Sequence, residues 1–414
     1  VAGASDDDPS GIATYAQAGA KFGTSFLWIA LLSFPLMAAV QEICDRTALA
    51  TGCGLGELAA KRFGRVGRAG VAVTLVALLI ANVINIAADL VAIGAGMTLL
   101  HAGPTWLWAL IAGVLITLVI VVGSFKRISQ IFKVLAMALV VYIVVAITVT
   151  RDWGTVAQDT LVPRLQFNRG YLALLIAILG TTLSPYLFFW QSANRLEEMR
   201  EEPEGGANPA PLGTRQASRA KRKQLTSRVD VFSGMAFSNI VMFAIIATTA
   251  ATLHAHHRLT IQSAAQAAQA LRPVAGQFSS AIFALGFIGS GLLAIPVLAS
   301  SASMGLAGLF DKRWGFSQSV REAPTFYVLL VVGTLGGTAL SLLSVNPIKL
   351  LVFVAVIDGV IATPLLVMIL RIASSRQIMG EYVNGRIALT LGWLTVAIMA
   401  ASSVALVATG GITL

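Results

Sequence analysis

Asp6-Asp7-Asp8-Pro9-Ser10-Gly11 places three consecutive acids and two helix breakers near the start of a chain that is otherwise overwhelmingly apolar. The run behind it, Ile12 to Gly23, reads as the outer half of a membrane helix, which puts the acids and the break at bilayer depth. Carboxylates there are expensive, and those that persist mark ion or substrate pathways. Proline removes a backbone donor and glycine lowers the cost of unusual dihedrals. The helix should therefore unwind here and leave carbonyl oxygens beside a carboxylate. A solvated acidic segment ahead of the first helix would have the same local composition, and a second break downstream decides between the two.

The rest of the composition supports bilayer depth. Of 414 residues 57% are apolar and 12% charged, with a mean hydropathy of +0.81, which excludes an ordinary water-soluble domain. The net charge of +10 does not point to nucleic acid, because no basic patch is interleaved with aromatics. It fits cytoplasmic loops rich in Lys and Arg. Two cysteines, Cys44 and Cys53, form neither a disulfide framework nor a metal-binding pair. No basic leader with a cleavage site opens the sequence, and Val1 to Ser5 reads as the tail of a helix that begins upstream.

Apolar runs of spanning length segment the chain into eleven helices, an all-α polytopic membrane protein. They lie near 12–22, 25–44, 69–100, 105–123, 130–150, 171–194, 231–253, 276–303, 324–344, 348–370 and 387–409, with an amphipathic surface helix at 261–271. Asp45 to Arg68 and Arg195 to Asp230 read as polar cytoplasmic segments. With the N-terminus inside, only Lys21, Arg151, Arg164, Arg169, Arg258, Arg272 and Lys349 of the 29 Lys and Arg residues fall outside. That asymmetry places the N-terminus in the cytoplasm and the C-terminus outside.

The sixth span is interrupted at Gly180-Thr181-Thr182-Leu183-Ser184-Pro185-Tyr186. Spans one and six are corresponding members of two five-helix halves, so a matched pair of breaks points to inverted repeats with a substrate site between discontinuous helices. The expected divisions are 1–168, 169–372 and a final helix in 373–414. The site offers a carboxylate, hydroxyls and freed carbonyls, which favours a cation over an anion or a sugar. Clustered acid, base and nucleophile candidates for an enzyme are absent.

The stretch Asp8-Pro9-Ser10-Gly11 with Ala13-Thr14 and Gln17 to Gly23, Ala88-Asp89-Leu90 in the third span, and Gly180 to Gln191 resemble the natural resistance-associated macrophage protein (NRAMP) divalent-metal transporters. The resemblance covers nearly the whole chain. It implies the LeuT-like arrangement of five plus five inverted helices with an added eleventh, an ion site at Asp8, Gly11, Thr181 and Ser184, and no cofactor. The departures are informative. Gly11 stands where the family carries an asparagine, and Ser184 where it carries a methionine. Oxygen ligands without a thioether suit magnesium, calcium and manganese, and smaller side chains leave room for the waters that magnesium sheds reluctantly. The pattern is similar to the NRAMP-related magnesium transporters.

The family's proton route places a glutamate and a histidine where this chain has Ala92 and Tyr186, which leaves no titratable pair. The expectation is uptake of partly hydrated Mg²⁺, with Mn²⁺ as a second substrate, uncoupled from protons, by a monomer in the plasma membrane. Two charges crossing about 100 mV gain about 4.6 kcal/mol, more than a thousandfold in concentration. The alternatives are a proton-coupled manganese or iron importer and an amino-acid transporter of the same fold, the latter disfavoured by Asp8. Asp6 and Asp7 either draw cations to one mouth of the site or pack against polar neighbours. Asp358 either faces the cavity or pairs with a polar neighbour. Asp89 is expected beside the pathway. His254, His256 and His257 are expected in a solvated outer loop with no carboxylate nearby.

Overall fold

The computed structural model describes residues 6–122, 139–166, 168–202, 208–257, 261, 263–268, 276, 279–343 and 346–408. Among them are helices and turns and no strand. The helices are α1 Pro9–Phe22, α2 Trp28–Thr51, α3 Leu55–Arg62, α4 Arg65–Leu99, α5 Thr105–Val122, α6 Val140–Val149, α7 Trp153–Leu161 and α8 Arg169–Thr182. They continue with α9 Pro185–Glu201, α10 Ala217–Thr252, α11 Ala264–Ala268, α12 Ser279–Leu309, α13 Pro324–Ser341, α14 Pro347–Ala373, α15 Arg376–Met379 and α16 Arg386–Ala408.

Nine described helices, with α8 and α9 taken as one, are long and apolar enough to cross a bilayer. The pair α6 and α7, bent by 117°, would make a tenth. The first expected span is represented by the 14 residues of α1. The fifth is represented by α6, since residues 123–138 lie outside the described residues. Of the expected surface helix at 261–271, only α11 lies within them. The protein is a multi-pass membrane protein, and both expected breaks are present.

The first break falls at Asp7-Asp8. Asp8 adopts an extended backbone, caps α1 through its side chain, and is followed by Pro9 in the first helical position, where a missing N–H costs nothing. The second falls at Leu183-Ser184, between the end of α8 and Pro185 at the start of α9. The buried apolar residues form two clusters. One gathers Ile12, Leu27, Ile176, Ile245, Phe287 and Val354, and the other Leu36, Leu187, Leu196, Leu298 and Leu366. Along α14 the first holds Ile348 to Val356 and the second Ala362 to Ala373, so Asp358 falls at the seam. Along α8 the change falls between Ile178 and Leu179, about one turn before the second break.

The segment 45–68, expected as a polar linker, and 195–230, expected as a cytoplasmic loop that could be helical in part, are both built on helices. α2 runs on to Thr51, α9 to Glu201, and α10 begins at Ala217, so most of 45–68 and 195–230 is helix. The reason is that their charges satisfy one another. Asp45 Oδ1 accepts from Gln191 Nε2 at 2.8 Å and from Arg195 Nε at 2.6 Å, and Ser227 Oγ donates to Oδ2. Asp45 and Arg195 are almost fully buried. Lys223 reaches Glu198 at 2.6 Å, and Arg215 reaches Glu202 at 2.7 Å. Charge that composition assigns to a solvated loop here fastens α2, α9 and α10 together.

Candidate cation site

Asp8 lies at the seam, fully buried, with both carboxylate oxygens engaged. Oδ1 accepts from Ser10 Oγ at 2.6 Å, from the Gly11 backbone N at 2.7 Å and from Thr181 Oγ1 at 3.4 Å. Oδ2 accepts from the Tyr186 hydroxyl at 3.2 Å. Both broken helices therefore supply the site: Asp8, Ser10 and Gly11 come from the first break, and Thr181 and Tyr186 flank the second. Ser10 and Thr181 hydroxyls also lie 3.2 Å apart.

Gly11 and Ser184 make their contacts within the two breaks. A Cβ built on Gly11 would lie 3.2 Å from Thr181 Oγ1 and 3.3 Å from the Tyr15 ring. The space expected beside this glycine is filled, and its contribution is a backbone donor to Asp8. The Ser184 hydroxyl turns back to the Thr181 carbonyl at 2.6 Å, so it closes the broken end of α8 and leaves Asp8 to Thr181. The Asp8 carbonyl, expected to be free, accepts from Ile12 N at 3.2 Å.

The remaining acids are buried as well. Ser238 of α10 donates to Asp6 at 2.8 Å and to Asp7 at 3.1 Å, so these two pack against a polar neighbour, away from any solvated mouth. Asp358 pairs with Asn85 Nδ2 at 2.8 Å. Asp89, one turn beyond Asn85 on α4, is fully buried, and among the described residues neither of its carboxylate oxygens nor Asp358 Oδ1 has a hydrogen-bond partner. At the two proton-route positions Ala92 is apolar and buried and Tyr186 is buried, while Asp89 on α4 and Asp358 on α14 are buried acids. Tyr186, expected only as a lost proton-route position, contacts the central carboxylate directly.

Sequence reasoning missed Ser10 as a partner of Asp8, although it lies in the same motif. It also missed Ser238, Asn85 and Tyr15, whose hydroxyl lies 3.2 Å from Thr182 Oγ1. Among the described residues no three of His, Cys, Asp and Glu are placed to hold a metal, so the centre is one carboxylate with hydroxyls around it. The histidines were expected far from acids, yet His254 and His256 line a cavity of about 750 Å³ together with Asp152 and Asp159. There Asp159 accepts from Thr24 and ion-pairs with Arg164 at 2.9 Å.

Residues 1–409 match the family described as natural resistance-associated macrophage protein-like. A divalent metal cation transporter MntH from Klebsiella pneumoniae is 26% identical over 400 residues, covering 95% of this chain and 88% of its own length. MntH from Deinococcus radiodurans is 26% identical over 412 residues, covering 95% and 85%. Among solved structures, the Eremococcus coleocola manganese transporter superposes with a TM-score of 0.76 at 17% identity over 99% of this chain and 85% of that one. The inward-facing form of Mhp1 superposes with a TM-score of 0.53 at 12% identity, covering 99% and 90%. The helix order, the two breaks and the match over almost the entire length agree: the chain belongs to the NRAMP-like family and has its LeuT-like fold.

Proposed function

We propose that the protein carries a divalent metal cation across the cell membrane by alternating access, with Mg²⁺ as substrate and Mn²⁺ as a second one. The relatives named above as divalent metal cation transporters support the substrate class. The observation that carries the choice of ion is the set of groups converging on Asp8: a carboxylate and the hydroxyls of Ser10, Thr181 and Tyr186, all hard oxygens, with no sulfur among them. Such a set favours magnesium and manganese over softer metals. The buried carboxylate also argues against an amino-acid substrate, whose own carboxylate it would repel. The protein acts as a monomer with its N-terminus in the cytoplasm, an orientation resting on the bias of basic residues. The proposed structural halves are 1–168 and 169–372, with 373–414 appended. Binding tests the reading. Titration calorimetry should show Mg²⁺ binding that Asp8→Ala abolishes. Unchanged Mg²⁺ binding in Asp8→Ala contradicts it.

One observation favours a second reading, proton-coupled import of manganese or iron: the Asp89 and Asp358 oxygens that lack partners inside the bundle. Buried carboxylates without a cationic neighbour are suited to holding protons. The two readings differ in whether ion entry acidifies the interior.

A further inference from the structure

We infer that a phospholipid with an anionic headgroup occupies a groove between α4 and α14 at the Arg371 end of the bundle. The groove encloses about 350 Å³ and is lined by Phe63, Gly67, Gly70, Val71, Pro364, Leu365 and Met368, with Thr74 and Arg371 as its polar members. The Thr74 hydroxyl is turned into its own helix, to the Gly70 carbonyl at 2.9 Å. The floor is therefore apolar. Gly70 leaves it open, since a Cβ there would meet nothing within 4 Å, while Gly67 lets Phe63 pack closely, 3.0 Å from where a Cβ would lie. Around it the helix surface is of the kind that faces acyl chains, with Val66 89% and Val73 71% exposed.

The headgroup assignment rests on charge at one end of this floor. Arg371, in the last turn of α14, is exposed and has no ion-pair partner among the described residues. On the opposite wall α4 begins at Arg65, with Gly64 preceding it and no side chain capping the helix. Its first N–H groups and positive dipole end thus lie at the groove's mouth, where phosphate is favoured. A cation at headgroup depth, an open helix N-terminus and an apolar trough leading into the bilayer match one phospholipid: phosphate at Arg371, acyl chain along Gly67, Gly70 and Pro364.

Delipidated protein in detergent should be titrated with phosphatidylglycerol and, separately, phosphatidylcholine, and bound lipid counted by native mass spectrometry. Wild type should prefer phosphatidylglycerol about fivefold, the value of about 1 kcal/mol per basic residue near an anionic surface. Arg371→Gln should abolish that preference while still retaining lipid. Gly70→Leu, which fills the trough without meeting a neighbour, should lower retention of both lipids at least threefold. Equal binding of the two lipids to wild type, or an undiminished preference in Arg371→Gln, overturns the inference, and the second result is decisive even if Gly70→Leu fails to fold.

Discussion

Asp8 accepts from four donors, and a cation bound by its carboxylate competes with them. The Tyr186 hydroxyl, 3.2 Å from Oδ2, is one such competitor. Tyr186→Phe should lower the melting temperature of the ion-free protein and enlarge the additional shift produced by Mg²⁺, because the cation then satisfies an oxygen left bare. An unchanged Mg²⁺ shift, read by scanning fluorimetry, would show that the tyrosine is a bystander. At Gly11 the packing against Thr181 and Tyr15 makes Gly11→Asn an overpacking change. It should cost roughly 1–3 kcal/mol of stability, measured as a lower melting temperature, and should not by itself restore a transition-metal site. The sequence made Asp8 and Thr181 legible because each sits at a helix break whose residues are adjacent in the chain. Ser238 and Asn85 were not legible: Ser238 bonds Asp6 across 232 residues and Asn85 bonds Asp358 across 273, and no local pattern encodes such a partner.

Helix positions were legible where apolar periodicity runs unbroken, and the breaks where Pro and small polar residues interrupt it. Helix ends in charged sequence were not, because α2, α9 and α10 extend beyond their apolar runs by pairing charges between elements. Three predictions belong to this scale. Asp45→Asn removes the one buried carboxylate of the three around the buried Arg195 guanidinium and leaves Glu198 and the more exposed Asp230. Thermal stability should fall, by less than the roughly 3–5 kcal/mol of a fully stranded buried charge. The second concerns Gly180, where α8 crosses α14. A Cβ there would sit 1.9 Å from the Ala355 carbonyl oxygen and 2.7 Å from Gly359 N. Gly180→Ala should therefore reach or exceed the upper end of the roughly 1–3 kcal/mol usual for overpacking, visible as lost monodisperse protein on gel filtration. The Glu202 clamp adds a pH dependence. Burial alone would raise its carboxyl, but the hydrogen bonds and charges of Lys223 and Arg215 prevail and hold it below the ordinary 4.5. Its contribution is present above that value and is lost as pH falls through the depressed value, so Arg215→Ala should matter less to melting in strong acid than at neutral pH.

At the scale of the molecule, two apolar clusters meet at a polar seam that contains both helix breaks and Asp358. Motions that open one side and close the other can pivot about such a seam without unpacking either cluster, which is the mechanical content of alternating access. Ion entry through it needs no chemical fuel if the membrane potential acts on two charges. The buried carboxylates of Asp89 and Asp358 are what make proton coupling the rival to be tested. Both readings share the fold and the ion site, so only flux separates them. The deciding measurement is uptake into liposomes holding a magnesium dye and a pH dye under a potassium-set potential, with Asp8→Ala in parallel. Mg²⁺ should enter in proportion to the potential, leave internal pH unchanged and fail to enter with Asp8→Ala. Manganese entry with acidification, and no magnesium entry, would contradict it.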